Sequence, residues 1–476
     1  MKKKEVRYYL MIGIFALLVC LGLTSLTNQI GNVDSDVFQY VAGEIQQGRV
    51  PYLDTFDHKG PLIYLINFLA LSLSPRWGLW LFEFVTVYVT LLCFYRIAKL
   101  AAGSILSLFT VGLTGVFLAH VLEGGNFTEE YALPFLSISL YIFLQYFLKG
   151  RTRNRDVVLC GVCFGCVLLL RPNMIAIWIV GCVLVLIDCF RKKTYAALLK
   201  FIADFLLGLG LCVAPFVVWL SANGALEAAF DACVTFNMQY SGVRSNLYNI
   251  VQACFKLMFH SIPLLSGFAV LVLLFCDRTA KSLLLFLCWL LSAFLIVSPG
   301  NNYLHYVLIL LPIVQYPIAW LFSWCTDSCK VKSKAAMCVF AVAVFLGTAP
   351  SAAAMSINIL RSLYLLRNPQ ADPVVTVIQE KSDVGDFITV YGNANFYYLR
   401  SNRKSASRYS YQYPIGKVNS NIYDEYFEDL TQNPPKVIIW PENLSPSKSE
   451  TDRMYRFIQE YGYLQHDRYP IVFYLP

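Results

Sequence analysis

Long apolar runs recur between residues 8 and 355, and they leave this chain few folds to choose from. Inside a bilayer no water can satisfy backbone N–H and C=O groups, so only helices or closed barrels span it. A hydrocarbon core of about 30 Å takes about 20 apolar residues per helix. The runs place spans near 8–26, 77–98, 101–119, 131–148, 157–171, 174–190, 201–220, 257–276, 282–297, 304–323 and 335–355. The expected fold class is an all-α polytopic membrane bundle of about 11 transmembrane helices. Composition agrees: the chain is 57% hydrophobic and 14% charged, against about 25% charged in soluble domains. The fifth and sixth spans are short and meet in a hairpin at Arg171-Pro172-Asn173, where Pro ends a helix.

The net charge of +8 does not point to nucleic acid, because its Lys and Arg sit in short clusters between apolar runs. Clusters follow spans two, four, six, eight and ten, among them Arg96 and Lys99, Arg151 to Arg155, Arg191 to Lys193, and Lys330 to Lys334. Such loops face the cytoplasm in a plasma-membrane protein. The alternate loops, HVLEGGNFTEE and SPGNNYLH, carry no Lys or Arg. MKKKEVR before the first run reads as an uncleaved anchor with a cytoplasmic N-terminus. That puts the first loop and the C-terminal region outside. Residues 61–75 are apolar but short, and read as a helix lying in or re-entering the interface.

Charge returns after residue 357, with strand-like runs at 387–392, 436–441 and 471–476 and helical stretches near 419–431 and 447–461. Alternating strands and helices indicate a small α/β extracytoplasmic C-terminal domain. The expected division is a transmembrane domain over 1–356, with an active first outer loop at 27–76, and an outer domain over 357–476.

The first loop, Gly31 to Tyr64, is the polar exception in an oily chain. Asp34 and Asp36 point the same way on an extended chain. Asp36 is also a suitable N-cap for a short amphipathic helix ending at Gly48, with Val37, Tyr40, Val41 and Ile45 as its stripe. Asp57-His58-Lys59-Gly60-Pro61 follows. A carboxylate can take a proton from an attacking hydroxyl, and a lysine can hold a phosphate as a point charge. The same residues also suit a solvated loop whose acids cap helices. The second loop, Glu123 to Tyr131, offers Asn126, Glu129 and Glu130 as acceptor or metal contacts, or a plain helix start capped by Thr128. Asn301, Asn302, Tyr303, His305 and Tyr306 suit sugar or phosphate binding, or an aromatic belt; His305 needs a polar partner at that depth. Cys160, Cys163 and Cys166 lie in an apolar span without a fourth ligand, and Gly161 and Gly165 beside them read as helix packing. Cys325 and Cys329 face the reducing cytoplasm. Glu83 is an intramembrane acid that needs a helix partner or a substrate.

The pattern Asp36-Val37-Phe38-Gln39-Tyr40, Gly48-Arg49-Val50-Pro51-Tyr52 and Lys59-Gly60-Pro61-Leu62-Ile63-Tyr64 resembles the GT-C glycosyltransferases. More narrowly it resembles the bacterial group of lipopolysaccharide-core galacturonosyltransferases, related to the lipid A aminoarabinose transferase and protein O-mannosyltransferases. Gly60 stands where the aminoarabinose enzyme has Pro. The resemblance implies a polyprenyl-phosphate sugar donor, a cell-envelope glycan, lipid or protein acceptor, and inversion at the sugar carbon. It places the catalytic Asp on Asp36 and the phosphate-binding Lys on Lys59. Asp34 joins Asp36 as a candidate catalytic residue. Tyr40, Asp57, His58, Tyr64, Asn126, Glu129, Glu130 and His305 are candidate substrate contacts. No cofactor is expected to be required; a divalent cation at Asp34 is left open. A transporter or flippase of lipid-linked glycans is the alternative, but it would gather its ionisable groups near the bilayer midplane.

Overall fold

The computed structural model describes residues 3–27, 32–150, 152–328, 334–441 and 448–476. Gly31, Cys329, Lys330 and Lys332 lie outside the described residues. By contacts the chain divides into two units: residues 1–27, 79–218 and 244–364, and residues 28–78, 219–243 and 365–476. Helices are numbered along the chain.

The first expected span is α1 (Lys3–Cys20) followed after a break by the single turn α2 (Thr24–Thr27). The polar stretch after it holds α3 (Val33–Gln46) and α4 (Pro61–Leu73), both in the second unit. The bundle continues with α5 (Gly78–Ala98), α6 (Ser104–Val121), α7 (Thr128–Lys149), α8 (Asn154–Leu170), α9 (Ala176–Lys192) and α10 (Tyr195–Ala222). Two short helices of the second unit follow, α11 (Leu226–Phe230) and α12 (Phe236–Arg244). Then come α13 (Leu247–Met258), α14 (Ser261–Asp277), α15 (Ala280–Val297), α16 (Leu311–Ser328) and α17 (Lys334–Arg367). Helices occupy all eleven expected span positions. Among the described residues, six segments are long and apolar enough to cross a membrane: α5, α6, α7, α10, α15 and Leu304–Thr326. The pair α13 and α14, bent by 88°, makes a seventh if counted as one span. Length and hydropathy alone therefore support fewer spans than eleven. The protein is a multi-pass membrane protein.

Within the first unit, α8 and α10 approach almost backbone to backbone. A Cβ on Gly208 would lie 1.9 Å from the Val158 carbonyl oxygen, and one on Gly161 2.1 Å from that of Phe205. Small residues allow this contact, and no flexible side chain stands there to yield.

In the second unit, α3 opens with a surprise. Its N-cap is Asn32, whose side chain accepts the Ser35 N–H at 2.7 Å. Asp36 is thus not the cap; it lies one turn inside the helix and is 5% exposed. Two helical steps separate the directions of Asp34 and Asp36 by about 200°, so the pair does not share a direction. Gly48, at φ +85°, follows the C-cap Gln47 as expected. The helix α4 has 13 residues, a length of about 20 Å, too short for a full bilayer crossing.

The C-terminal region is the small α/β fold expected. It runs α18 (Pro373–Lys381), β1 (Phe387–Val390), α19 (Phe396–Ser401), β2 (Lys404–Ser405), α20 (Asn421–Gln432), β3 (Val437–Ile439), α21 (Lys448–Glu460), β4 (Leu464–Gln465) and β5 (Val472–Tyr474). The sheet order is β2-β1-β3-β5-β4, with β1 parallel to β2 and β3, and β5 antiparallel to β3 and β4. Its core gathers Ile378, Ile388, Val390, Val437, Ile439 and Val472, and Tyr40 from α3 is part of it.

Replacing Gly208 with Val should force α8 and α10 apart and cost at least about 1–3 kcal/mol. Gly210, two residues on, has nothing within 4 Å of its Cβ position, so Gly210→Ala should be tolerated or mildly stabilising. Thermal melts of both variants in detergent check this; equal melting temperatures would contradict the close crossing.

Candidate active site

The Asp57-His58-Lys59 segment is fastened at nearly every polar atom. Asp57 is 3% exposed. Its Oδ2 accepts from Tyr64 Oη at 2.8 Å and its Oδ1 from Tyr411 Oη at 2.7 Å. The His58 carbonyl accepts from Asn237 Nδ2 at 2.7 Å, and the Lys59 carbonyl from Tyr52 Oη at 2.8 Å and Cys233 Sγ at 3.2 Å. Buried polar groups held this fully are rigid. The His58 ring lies against Phe236 and Tyr240. Its Nε2 is 3.2 Å from Lys59 Nζ, and its Nδ1 is 3.4 Å from Asp57 Oδ1. An ammonium can only donate, so Nε2 accepts and the ring proton of a neutral His58 sits on Nδ1, toward Asp57.

Lys59 Nζ lies 3.9 Å from Asp34 Oδ2 and 5.9 Å from the Phe38 ring centroid. The lysine therefore stands beside the first turns of α3, the helix that carries Asp36. It also immediately precedes the N-terminus of α4, where Gly60 is the cap and no side chain caps the helix.

Asp36 is in a different environment from Asp34. Burial pushes its carboxyl up to about 7, outweighing the attraction of the Arg400 guanidinium on α19. Burial pushes Arg400 down in turn, against the pull of Asp36. Tyr40, expected at the substrate, is closed into the core of the C-terminal region. Its Oη accepts the Ser405 N–H at 3.1 Å, and its ring lies 5.1 Å from that of Tyr398. Tyr64, 1% exposed, is spent on Asp57. Both rings are buried, and their hydroxyls are hydrogen-bonded within the second unit.

A divalent cation at Asp34 does not fit these residues. The Lys59 ammonium already faces that carboxylate, and a second positive charge there would be repelled. Among the described residues no three His, Cys, Asp or Glu side chains gather as a metal set.

Asn126, Glu129, Glu130 and His305 belong to the first unit. Thr128 is the first residue of α7 rather than its cap, which is Phe127, and its hydroxyl donates to Glu129 at 2.8 Å. Glu129 is ion-paired with Arg171 from the α8–α9 hairpin, and Arg171 also donates to Tyr306 Oη at 2.8 Å. His305 Nδ1 meets Glu123 Oε2 at 3.1 Å and its ring stacks on Phe127 at 4.0 Å. Asn126, at φ +61°, directs its N–H to Glu130 Oε2 at 2.7 Å, and the same N–H interacts with Glu83. Glu83 is fully buried and also accepts from the Ser25 hydroxyl. Gly125 must be glycine: a Cβ there would lie 2.1 Å from Glu83 Oε1, at φ +91°.

Sequence reasoning missed Arg400, Tyr411 and Asn237, and read Arg171 only as part of a turn. Their spacing from the first and second loops is hundreds of residues or unrelated to any motif. Arg400 alone had a signal, as an arginine on a short aromatic helix segment.

Solved structures share this architecture. ArnT from Cupriavidus metallidurans bound to undecaprenyl phosphate superposes with a TM-score of 0.59 at 13% identity, over 99% of this chain and 98% of that one. The Archaeoglobus fulgidus oligosaccharyltransferase in complex with Zn and sulfate gives 0.51 at 11%, over 91% and 67%. AglB from the same organism, in complex with an inhibitory peptide and a dolichol-phosphate, gives 0.51 at 11%, over 92% and 69%. The shared fold is GT-C, as the first-loop pattern led one to expect. No curated protein matches by sequence. A family model matches residues 1–328, and the chain therefore belongs to the family described as "Putative competence-induced protein Ccs4 N-terminal domain".

Proposed function

We propose that this protein is an inverting glycosyltransferase. It moves a sugar from a polyprenyl-phosphate donor to a hydroxyl of an extracytoplasmic cell-envelope acceptor. The observation that carries this reading is the division of labour in the first loop. Asp36 is a desolvated carboxylate one turn inside α3, and Lys59 is a rigidly mounted cation near the start of that helix, 3.9 Å from Asp34, just before the N-terminus of α4. The GT-C fold supports it, as do the lipid phosphates named with ArnT and AglB.

Asp36 accepts the proton of the acceptor hydroxyl as that oxygen bonds to the anomeric carbon. The bond from that carbon to the donor phosphate breaks on the opposite face, and the electron pair leaves on the phosphate oxygen. Lys59 and the positive end of α4 stabilise that charge. Arg400 favours the ionised form of the Asp36 carboxyl against its burial. Residues 27–76 and 357–476 face outside, where a lipid carries the sugar across.

Asp36→Asn keeps a polar isostere but removes the base, and transfer should slow at least ~100-fold. With its carboxyl near 7, the wild-type rate at limiting acceptor should rise with pH up to about 7 and then level. The folded state holds a proton that the unfolded chain releases near the usual 3.8. Stability from this group is therefore present below that value and lost as pH rises toward 7. Asp36→Asn should remove this pH dependence of stability. Near-normal transfer by that variant would refute the role.

Lys59→Ala should lower turnover roughly ten- to hundredfold, the cost of a charge-assisted contact of about 1.5–3 kcal/mol, with Lys59→Arg retaining more. Release of polyprenyl phosphate from labelled lipid-linked sugar, dependent on acceptor, measures it and separates transferase from carrier.

Topology is checked with single cysteines at Leu53 and Val384, which are 39% and 65% exposed. Both should react with an impermeant thiol reagent in intact cells; protection of Leu53 alone would place the first loop inside.

A further inference from the structure

A cavity of about 590 Å³ opens on the helical unit at the end of α9 and the α14–α15 turn, far along the chain from the first loop. Phe147, Leu184, Phe275 and Leu283 are among its apolar walls, and Asp188, Arg191, Arg278 and Thr279 also line it. The nearby acids are already matched. Asp188 takes Lys192 Nζ at 2.8 Å and Tyr146 Oη at 2.7 Å. Asp277 takes Lys281 at 2.9 Å and the Thr279 hydroxyl. Among the described residues, neither Arg191 nor Arg278 has an ion pair within 4.0 Å; Arg278 donates only its Nε to the Phe275 carbonyl at 3.1 Å. Thr279 is also the N-cap of α15, in a capping box with Ser282, and its hydroxyl donates to the Asp277 carboxylate, so that helix start is already met.

Two guanidiniums outside any close ion pair, lining the same cavity as Phe and Leu side chains, form a complement to one kind of molecule in a bilayer. We propose that this groove binds a membrane phospholipid with an anionic headgroup. The guanidiniums hold the phosphate, and the upper acyl chains lie against the Phe and Leu walls. Free phosphate would leave the walls unfilled, and a zwitterionic lipid would bring its own cation toward Arg191 and Arg278. Basic openings between transmembrane helices bind anionic lipid heads by this physics. The inference does not depend on the sugar-transfer reading.

The test uses the purified full chain in mild detergent, with phosphatidylglycerol and phosphatidylcholine of identical acyl chains, and native mass spectrometry to count retained lipid. The wild type should retain phosphatidylglycerol roughly tenfold better than phosphatidylcholine. Arg191→Ala with Arg278→Ala should reduce that preference to about twofold or less. Arg153→Ala with Arg155→Ala, outside the cavity, should leave it intact. If the first double variant does not fold, Ala280→Trp narrows the opening with both guanidiniums kept and should lower retention to a similar extent. Equal retention of both lipids by the wild type would overturn the proposal. So would unchanged preference in the cavity variant that folds, an equal loss in the control, or displacement by inorganic phosphate alone.

Discussion

A carboxylate with no room for water and both oxygens taken organises the second unit. Asp57 sits between Tyr64 on α4 and Tyr411 of the C-terminal region. Removing the Tyr64 hydroxyl would leave the buried Oδ2 acceptor without a partner, at about 1–3 kcal/mol. With the Asn237, Tyr52 and Cys233 contacts to the next two carbonyls, that anchor turns an otherwise polar loop into a fixed surface. Lys59 is held there with little freedom of its own backbone. A cation placed in advance loses less entropy when an anion arrives.

The two acids of α3 show how burial divides labour between like residues. Asp34 is on the exposed side with Lys59 nearby, whereas Asp36 is turned inward and covered by α19. The chemistry of a carboxylate depends on how far it is dried and which charge it faces. Arg400 limits the rise that burial would otherwise impose. The covering layer that sets this balance comes from a region some 360 residues away in sequence.

The first unit handles its buried acids in two ways. Glu129 is neutralised by Arg171, which itself stacks over Tyr306 with its Cζ 4.5 Å from the ring centroid. Glu83 and Glu130 instead share the Asn126 N–H, with no cation between them among the described residues. The tight left-handed run from Glu123 through Asn126 lets the backbone reach both. Intramembrane acids are costly unless satisfied, so the α6–α7 loop is shaped by its helix partners as much as by its own residues.

By itself the sequence determined the membrane class, the positions of the apolar helices, the α/β character of the C-terminal region and the GT-C pattern of the first loop. Those features are local or periodic: apolar runs, basic clusters, alternating strands, and a motif within 30 residues. It also located Asp36, Lys59, Glu129 and His305 as residues worth weighing, and the close helix packing at Gly161. It could not choose Asn32 over Asp36 as the cap, because both residue types cap helices equally well. It could not see that Tyr40 belongs to the C-terminal core, because a helix stripe does not say which layer covers it. Only the tertiary structure decided the partners: Tyr411 for Asp57, Arg400 for Asp36, Arg171 for Glu129 and Glu123 for His305. Hydrogen bonds and charges act over a few ångströms of space, and the distance along the chain between those partners carries no trace of them.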